Sequence, residues 1–285
     1  MSRRVLVTGA ASGLGLALVR RFADAGDQVL ATDLAGTVDV LPEGVHYQRL
    51  DVRSDDDWSE ARDWVSKEWG GLDVLVNNAG VATGGRIDVS AMDEWELATQ
   101  VNLLGVARGC HTFAGLFKEQ RSGHIVNVAS IAGLVHPPAM AAYNAVKAGV
   151  VALSETLGHE LAPYGIASSV VCPSFFRTNL VASMRGRDED AAAKIARLVN
   201  ESPLSADDIA VAVLEGIDRK DPLILPDEVA RAAYELKWSD RTAYDKQMAV
   251  TAMRAFERAE FSPELSGRSD ARAHAHPDKS EGEGV

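Results

Sequence analysis

The sequence predicts an α/β fold, a doubly wound parallel sheet of seven strands with helices on both faces. Short β-branched runs occur at residues 5–7, 28–32, 45–50, 74–76, 124–128, 168–171 and 223–225. Between them, segments with helical spacing of their apolar residues occupy residues 14–25, 56–69, 94–119, 141–162 and 207–219. Because nearly all-apolar strands alternate with helices, we expect a parallel sheet that is buried on both faces.

The pattern changes after Pro226, and this change predicts the domain organisation. Residues 1–226 are interpreted as one α/β domain, and residues 227–261 as a helical extension of it with helices over 228–238 and 241–260. Residues 262–285 are polar and charged, which predicts a disordered tail. Residues 180–204, with charges from 185 to 190, are interpreted as a helical, mobile lid over the site.

Composition narrows the classes of partner. The net charge of -12 works against a nucleic-acid or anionic-membrane partner, because both are negatively charged. Cys110 and Cys172 lie in apolar stretches, so we expect buried free thiols, and the seven histidines show no spacing typical of a metal site. No apolar run is long enough to span a bilayer, and residues 1–4 lead directly into the first strand. We therefore expect a cytoplasmic protein without a metal that acts on small molecules.

A glycine-rich turn joins the first strand to the first helix, with the sequence Thr8-Gly9-Ala10-Ala11-Ser12-Gly13-Leu14-Gly15. Such a turn lets the backbone approach a pyrophosphate, while the following helix offers free N–H groups. Glycine spacing alone is weak support for nucleotide binding. Asp33, however, ends the second strand, where a Rossmann-type fold places a carboxylate for the ribose hydroxyls. Together the two features indicate a dinucleotide site.

These motifs resemble those of the classical short-chain dehydrogenase/reductase family, from about residue 3 to about residue 226. The turn is similar to the family's Thr-Gly-x-x-x-Gly-x-Gly loop, and Asn77-Asn78-Ala79-Gly80 to its second signature. Ser174 departs from the glycine that usually follows Pro173 in the family. The resemblance implies that a nicotinamide dinucleotide is held by Gly9, Ser12, Gly13, Leu14, Gly15, Asp33, Asp51, Val52, Asn78, Ala79, Gly80, Tyr143, Lys147, Pro173 and Thr178.

A candidate catalytic group follows from position and chemistry. Tyr143 and Lys147 are four residues apart in a helical segment, so their side chains share one face. Ser130 follows an apolar strand, which places it at the carboxyl edge of the sheet. The resemblance implies a catalytic tetrad of Asn102, Ser130, Tyr143 and Lys147.

The tetrad implies a role for each side chain. Tyr143 is expected to be the general acid/base, with its pKa lowered by Lys147 and the nicotinamide ring. By the resemblance, Lys147 also binds the nicotinamide ribose and Asn102 holds a water in a proton relay. Ser130 is expected to hydrogen-bond the substrate oxygen.

The remaining expectations concern specificity and assembly. Asp33, without a basic residue in the glycine loop or directly after strand two, favours NAD over NADP. The substrate is expected to be a medium-sized hydrophobic alcohol or ketone. The residues that indicate it lie in loops near the nicotinamide: Val81, Ala82, Val135, His136, Pro137, Phe175, Phe176, Leu180 and Met184. The family resemblance further implies a homodimer or homotetramer.

Two other classes of protein use a similar nucleotide fold. One is a nucleotide-binding protein that has lost catalysis, but the intact tetrad argues against it. The other is a methyltransferase that binds S-adenosylmethionine. It would explain the glycine loop and Asp33, but it gives no role to Ser130, Tyr143 and Lys147 together.

Overall fold

The computed structural model describes residues 2–38, 40–180, 184 and 186–261, with side chains to residue 253. It confirms the fold class. Seven parallel strands form one sheet in the order β3-β2-β1-β4-β5-β6-β7. The strands are β1 (Arg4–Thr8), β2 (Gln28–Asp33), β3 (His46–Arg49), β4 (Val74–Asn77), β5 (Gly123–Val128), β6 (Ile166–Val171) and β7 (Leu223–Ile224).

Helices connect the strands and cover the sheet. They are α1 (Gly13–Asp24), α2 (Asp55–Glu68), α3 (Met92–Ala98), α4 (Gly105–Gln120), α5 (Ala132–Val135), α6 (Ala141–Leu161), α7 (Glu189–Asn200), α8 (Ala206–Arg219), α9 (Glu228–Ser239) and α10 (Arg241–Phe261). A π-helix at Thr99–Leu104 joins α3 to α4, and a 3₁₀ turn at Ala162–Tyr164 follows α6.

Alternate side chains of each strand enter two cores. On one face, Leu6 and Leu75 pack with Trp58 of α2 and Phe113 of α4. On the other face, the neighbouring strand residues pack against α1 and α8, for example through Phe22. The two-residue period of a strand sends successive side chains to opposite faces, which is why the central strands β1 and β4 are almost wholly apolar, whereas β3 at the edge is polar.

Two of the predicted helices differ from the structure. The segment 94–119, predicted as one helix, is interrupted by the π-helix. The sequence did not indicate the interruption, because the apolar residues keep a helical period across the change of hydrogen bonding. The predicted helix over 180–204 differs in extent: among the described residues of this segment the α-helix covers Glu189–Asn200, beginning where the Asp188 side chain caps α7. Residues 181–183 and 185 of this segment, and the predicted tail 262–285, lie outside the described residues.

The helices after Pro226 pack onto the loop that follows β5. Ala230 of α9 and Tyr244 of α10 join Ile131 and Val135 in one small apolar cluster. Asp227 begins α9, since its side chain accepts a hydrogen bond from the Ala230 N–H at 2.8 Å. The extension therefore contacts the chain close to the carboxyl ends of β5 and β6.

Both cysteines are buried and free, as expected. Burial raises the pKa of the Cys110 and Cys172 thiols to about 12, so they remain protonated at neutral pH. Within the part of the chain that the structure describes, no cluster of three or more His, Cys, Asp or Glu side chains could hold a metal ion. Over the same residues, the helices are all too short or too polar to cross a bilayer.

His124 gives the fold a pH dependence. Its ring is buried, with Nε2 at 2.7 Å from Ser169 Oγ, and burial lowers its pKa to about 4. A histidine pKa is about 6.5 in an unfolded chain, so protonation favours the unfolded state. The contribution of neutral His124 to stability is complete above pH 6.5 and is lost as the pH falls through about 4.

We expect this effect to appear in denaturant titrations at several pH values. Between pH 6.5 and 4 the free energy of unfolding should fall by up to about 3 kcal/mol more in the wild type than in His124→Gln. His159→Gln, which alters an exposed histidine, should follow the wild type. Parallel pH curves for wild type and His124→Gln would contradict the assignment.

Candidate active site

A cavity of about 490 Å³ opens at the carboxyl ends of the strands. Its walls include Gly9 after β1, Asn78 after β4, Ala129 after β5 and Pro173 after β6. Strands β1 to β3 are added toward one edge of the sheet and β4 to β7 toward the other, so the strand order reverses between β1 and β4. A doubly wound fold binds its ligand at such a point. The sheet thus brings most of the predicted site residues together.

The glycine loop has the shape of a phosphate cradle. Gly9 and Gly13 have φ values of +66° and +54°, which a residue with a side chain rarely adopts. A Cβ on Gly15 would lie 2.1 Å from the Gly9 oxygen, and one on Gly13 would lie 2.5 Å from Thr178 Oγ1. Gly15 lies behind the loop rather than on the cavity wall, which Gly9, Ser12, Gly13 and Leu14 form. Any larger side chain would therefore change the loop.

The loop is fixed to the segment after β4. Thr8 Oγ1 accepts hydrogen bonds from the N–H groups of Asn78 and Ala79, both at 3.0 Å. Asn78 Nδ2 donates in return to the Thr8 oxygen at 2.8 Å. The two sequence signatures of the nucleotide site are therefore one hydrogen-bonded unit, and Asn78, Ala79 and Gly80 all line the cavity.

Asp33 stands at the end of β2, on the cavity wall. Its Oδ2 accepts a hydrogen bond from the Ala11 N–H at 2.9 Å, and its Oδ1 one from the Ala35 N–H at 3.3 Å. Leu34 beside it is 54% exposed. These contacts fix the position of the carboxylate while leaving it at the cavity.

Asp51 and Val52 also line the cavity, together with Arg53, which the sequence analysis did not single out. Arg53 donates to both Asp51 oxygens, with 2.6 Å from a terminal guanidinium nitrogen to Oδ2. The guanidinium holds the pKa of the Asp51 carboxyl below its usual range. Arg53 follows Asp51 by two residues just after β3, and this spacing of opposite charges could have indicated the ion pair.

Tyr143 and Lys147 lie on one face of α6, as predicted, and both are buried. Lys147 Nζ donates a hydrogen bond to the Val128 oxygen at 2.9 Å, and it lies 5.6 Å from the centre of the Tyr143 ring. Ser130 follows β5 and lines the same cavity. Its Oγ accepts a hydrogen bond from the Ala132 N–H at 3.1 Å.

Burial disfavours the charged form of both α6 side chains. It raises the pKa of Tyr143 to about 12, although a hydrogen bond from the Ser130 side chain acts in the opposite direction. It lowers the pKa of Lys147 to about 8. The expected lowering of the Tyr143 pKa involves Lys147 and the nicotinamide ring together; in the protein alone, desolvation is the largest effect and the pKa is raised.

Asn102 is buried within the π-helix and does not line the cavity directly. Its Oδ1 accepts from the Val81 N–H at 2.8 Å, and its Nδ2 donates to the Val81 oxygen at 2.9 Å. The side-chain amide thus pairs with both main-chain polar groups of one residue at the cavity wall. The contact fixes the backbone that follows Gly80.

Pro173 and Thr178 line the cavity after β6, as predicted. Ser174, which replaces the usual glycine, does not have a left-handed backbone, so a side chain is tolerated there. Its N–H donates to Asp227 Oδ2 at 2.9 Å. The departure at Ser174 therefore leaves the loop in place, tied to the start of α9.

The substrate side of the cavity is largely apolar. The predicted residues Val81, Ala82, Pro137, Phe175, Phe176, Leu180 and Met184 line it. Val135 and His136 were wrongly included, because they turn away toward α9 and α10: His136 Nδ1 is 3.0 Å from Lys237 Nζ. Sequence reasoning missed Thr83, Leu97, Val101, Met140, Ile195 and Val199. Ile195 and Val199 are four residues apart, a spacing that could have indicated the inner face of α7.

Polar contacts attach the start of α7 to α3 and to the segment before α3. The Arg86 Nε and Asp188 Oδ2 atoms are 2.8 Å apart, and Asp188 is 2% exposed. The buried Glu94 carboxylate accepts a hydrogen bond from the Arg187 N–H at 3.0 Å. Because these contacts fix the start of α7, its apolar face closes the substrate side.

Comparison with known proteins agrees with this geometry. The family model described as short chain dehydrogenase matches residues 3–189. The 2-(R)-hydroxypropyl-CoM dehydrogenase of Xanthobacter autotrophicus is 31% identical over 226 residues, which are 75% of this chain and 90% of that protein. A 3-alpha-(or 20-beta)-hydroxysteroid dehydrogenase of Mycobacterium tuberculosis is 35% identical over 178 residues, 61% of this chain and 68% of that protein.

A solved structure gives the same result. A short chain dehydrogenase/reductase from Burkholderia phymatum, in complex with NAD, superposes with a TM-score of 0.79 at 32% identity, covering 85% of this chain and 95% of that one. The chain described here belongs to the short-chain dehydrogenase family. It is therefore an oxidoreductase of the class that acts on alcohols and ketones with NAD(P), and the predicted family resemblance is confirmed.

The crowding at Gly15 leads to a test of the cradle. We expect Gly15→Ala to lose about 1–3 kcal/mol of stability and at least about tenfold in dinucleotide affinity, because the new Cβ meets fixed backbone. Gly115→Ala is the matched control, since no atom lies within 4 Å of its Cβ position on α4 and alanine favours a helix. Thermal unfolding and cofactor titration measure both effects. Wild-type affinity in Gly15→Ala would contradict the description of the loop.

Proposed function

We propose that the protein is an NAD-dependent dehydrogenase/reductase that interconverts a secondary alcohol and a ketone, with Tyr143 as general acid/base. The observation that carries the proposal is the convergence of Tyr143, Lys147 and Ser130 on the cavity that the glycine loop and Asp33 also line. A scaffold for nucleotide binding alone would not require a buried lysine beside a buried tyrosine.

The residues present fit a nicotinamide dinucleotide. The two left-handed glycines and the close approach at Gly15 leave three positions of the loop where a side chain would be strained or would clash. At the start of α1, the Ser12 side chain does not cap the helix, so the first N–H groups remain available for a phosphate. When bound, the nicotinamide supplies the position that accepts or donates a hydride.

The chain's own residues supply the proton and orient the substrate. Tyr143 accepts the hydroxyl proton as an alcohol is oxidised, and returns it in the reverse direction. Ser130 hydrogen-bonds the substrate oxygen and stabilises the charge that develops there. Lys147 remains close to Tyr143 because its ammonium is held by the Val128 oxygen.

The pKa values of the buried pair determine when Tyr143 can act. In the protein alone, burial raises the pKa of Tyr143 to about 12, which favours the neutral phenol. A positive charge near the phenol lowers its pKa, and both the Lys147 ammonium and an oxidised nicotinamide carry one. We infer that Tyr143 becomes a useful base only when the oxidised cofactor is bound.

Asn102 acts on the site through the backbone of Val81. Both ends of its amide bind that residue, so the side chain has less freedom to hold the relay water that the family resemblance implies. We infer that Asn102 positions the backbone of Val81, which lines the cavity together with Gly80 and Tyr143. A water in the relay would then have to be bound by main-chain groups of the π-helix, where the regular helical hydrogen bonding changes.

The substrate is proposed to be a medium-sized, mostly hydrophobic alcohol or ketone. The wall opposite the glycine loop is built from Met140, Phe175, Ile195 and Val199, which offer apolar contact. The similarity to a hydroxysteroid dehydrogenase is consistent with such a substrate. Burying an apolar body of this kind would contribute about 25 cal/mol for each Å² removed from water.

Removal of the Tyr143 hydroxyl tests the catalytic assignment. We expect Tyr143→Phe to keep the fold and NAD binding but to lower kcat by about 100-fold or more, the scale for losing a general acid/base. Tyr164→Phe is a matched control, because the Tyr164 ring packs against the core and lies near Lys118 and Arg121 at 4.9 and 5.3 Å, contacts that a phenylalanine ring retains. Steady-state assays on a panel of secondary alcohols measure the change. Near-normal turnover of Tyr143→Phe would refute the role.

NAD preference rests on the electrostatics around Asp33. Its carboxylate lies at the cavity wall, so a 2′-phosphate there would bring two negative charges together. At about 4 Å and an effective dielectric near 20 the repulsion is about 4 kcal/mol, and water and salt would leave roughly a quarter to a half of it. Arg53 also lines the cavity, but its guanidinium is already paired with Asp51. Arg3 and Arg4 are paired with Asp27 and Asp73.

We expect kcat/KM with NAD to exceed that with NADP by at least about tenfold in the wild type, which corresponds to about 1.4 kcal/mol. In Asp33→Ala combined with Leu34→Arg, the preference should move toward NADP, because the repulsion is removed and a cation is added. Asp33→Asn is a control that keeps the size of the side chain. Equal use of both cofactors by the wild type would contradict the argument.

Thermal-shift measurements distinguish the alternatives that sequence reasoning left open. A ligand that binds only the folded state raises the unfolding temperature, by an amount that grows with the logarithm of its concentration divided by its Kd. NAD should stabilise the protein, while S-adenosylmethionine should not. Stabilisation by S-adenosylmethionine alone would favour the methyltransferase reading over the proposed function.

A further inference from the structure

The single-turn helix α5 lies between the candidate catalytic residues. At its start, Ser130 Oγ accepts the Ala132 N–H at 3.1 Å, so α5 orients the Ser130 hydroxyl. In its middle, a Cβ on Gly133 would lie 2.6 Å from the Lys147 carbonyl group, which shows that α5 packs directly on the backbone of α6. A displacement of α5 would therefore change the position of Ser130 relative to α6.

The carboxyl end of α5 is held by the C-terminal extension. A helix of one turn leaves its last carbonyl groups without partners inside the helix. The Tyr244 hydroxyl of α10 donates to the Val135 oxygen, and Lys237 Nζ of α9 donates to the Leu134 oxygen. Tyr244 is 4% exposed, so its hydroxyl has little access to water as an alternative partner.

Apolar contacts and the backbone beyond α5 support the same connection. Tyr244 and Ala230 enclose Val135 and Ile131 in one cluster. The chain then turns through His136 and Ala139, whose φ values of +53° and +59° are unusual for residues with side chains. Such a turn is retained only when its surroundings hold it. Tyr244 and Lys237 provide that support immediately before the turn reaches the substrate wall.

We propose that Tyr244 and Lys237 are positioning residues for Ser130. They hold the carboxyl end of α5, and α5 in turn orients the Ser130 hydroxyl toward the substrate oxygen. This inference rests on the proposed function for its catalytic consequence, but the hold on α5 is a property of the structure alone. It gives the extension after Pro226 a role in the reaction although none of the side chains described there, up to residue 253, lines the cavity.

A double-mutant cycle tests whether Tyr244 acts through Ser130. With Ser130 present, Tyr244→Phe should lower kcat by about tenfold, a cost expected for a small misplacement of a catalytic group. The KM for NAD should stay within about twofold. In the Ser130→Ala background, Tyr244→Phe should change kcat by less than about twofold, because the group that it positions is already absent.

Three further variants, at two residues, control for general destabilisation. Tyr234→Phe removes a hydroxyl from the same extension, and that hydroxyl makes no hydrogen bond to the residues described here, so kcat should not change. Lys237→Gln keeps a donor for the Leu134 oxygen and should retain more activity than Lys237→Met. Equal kcat factors for Tyr244→Phe in both Ser130 backgrounds, or no effect in either, would overturn the proposal.

Amide hydrogen exchange separates failure of this inference from failure of the proposed function. Exchange of the amides in residues 132–136 should be faster in Tyr244→Phe than in Tyr234→Phe, whether or not a substrate has been found. Unchanged exchange would overturn the hold on α5 even if the wild type is an active dehydrogenase. Faster exchange in a protein that turns over no alcohol would retain the hold and reject the proposed function.

Discussion

The burial of Lys147 constrains the whole site. Its ammonium lies out of water, hydrogen-bonded to the Val128 oxygen and 5.6 Å from the Tyr143 ring centre. A buried cation is costly without partners, and burial lowers its pKa to about 8. α6 must keep one register against β5 for this contact to form. The same register places Tyr143 at the cavity, so the contact that Lys147 requires also positions the proposed acid/base.

The site is built by segments that hold one another at the carboxyl edge of the sheet. Thr8 joins the glycine loop to Asn78, Asn102 joins the π-helix to Val81, and Asp227 joins the loop after β6 to the start of α9. Each contact satisfies backbone groups that the ends of strands leave unpaired. Hydrogen bonds from the main chain to side chains therefore position these walls of the cavity, and apolar side chains close its substrate side.

Local signals predicted the fold and much of the candidate site. Strand periods, the glycine loop and the four-residue spacing of Tyr143 and Lys147 depend on neighbours in the chain, so they can be read from sequence. Contacts between distant segments could not be read. The turn of Val135 and His136 away from the cavity depends on α9 and α10, about 100 residues later, and the π-helix at Asn102 leaves the apolar period unchanged. The ion pair of Arg53 with Asp51 joins residues two apart in the chain, so it could have been predicted from the sequence, but it was missed.

We propose that Tyr143 is a buried phenol that becomes a base only beside the oxidised cofactor. Ultraviolet difference titration of tyrosinate, taken as wild type minus Tyr143→Phe, measures its ionisation directly. Without cofactor, Tyr143 should remain protonated up to a pH near its pKa of about 12. With saturating oxidised NAD, its ionisation should move to lower pH by about 2 units or more. The same titration curve with and without NAD would contradict the account.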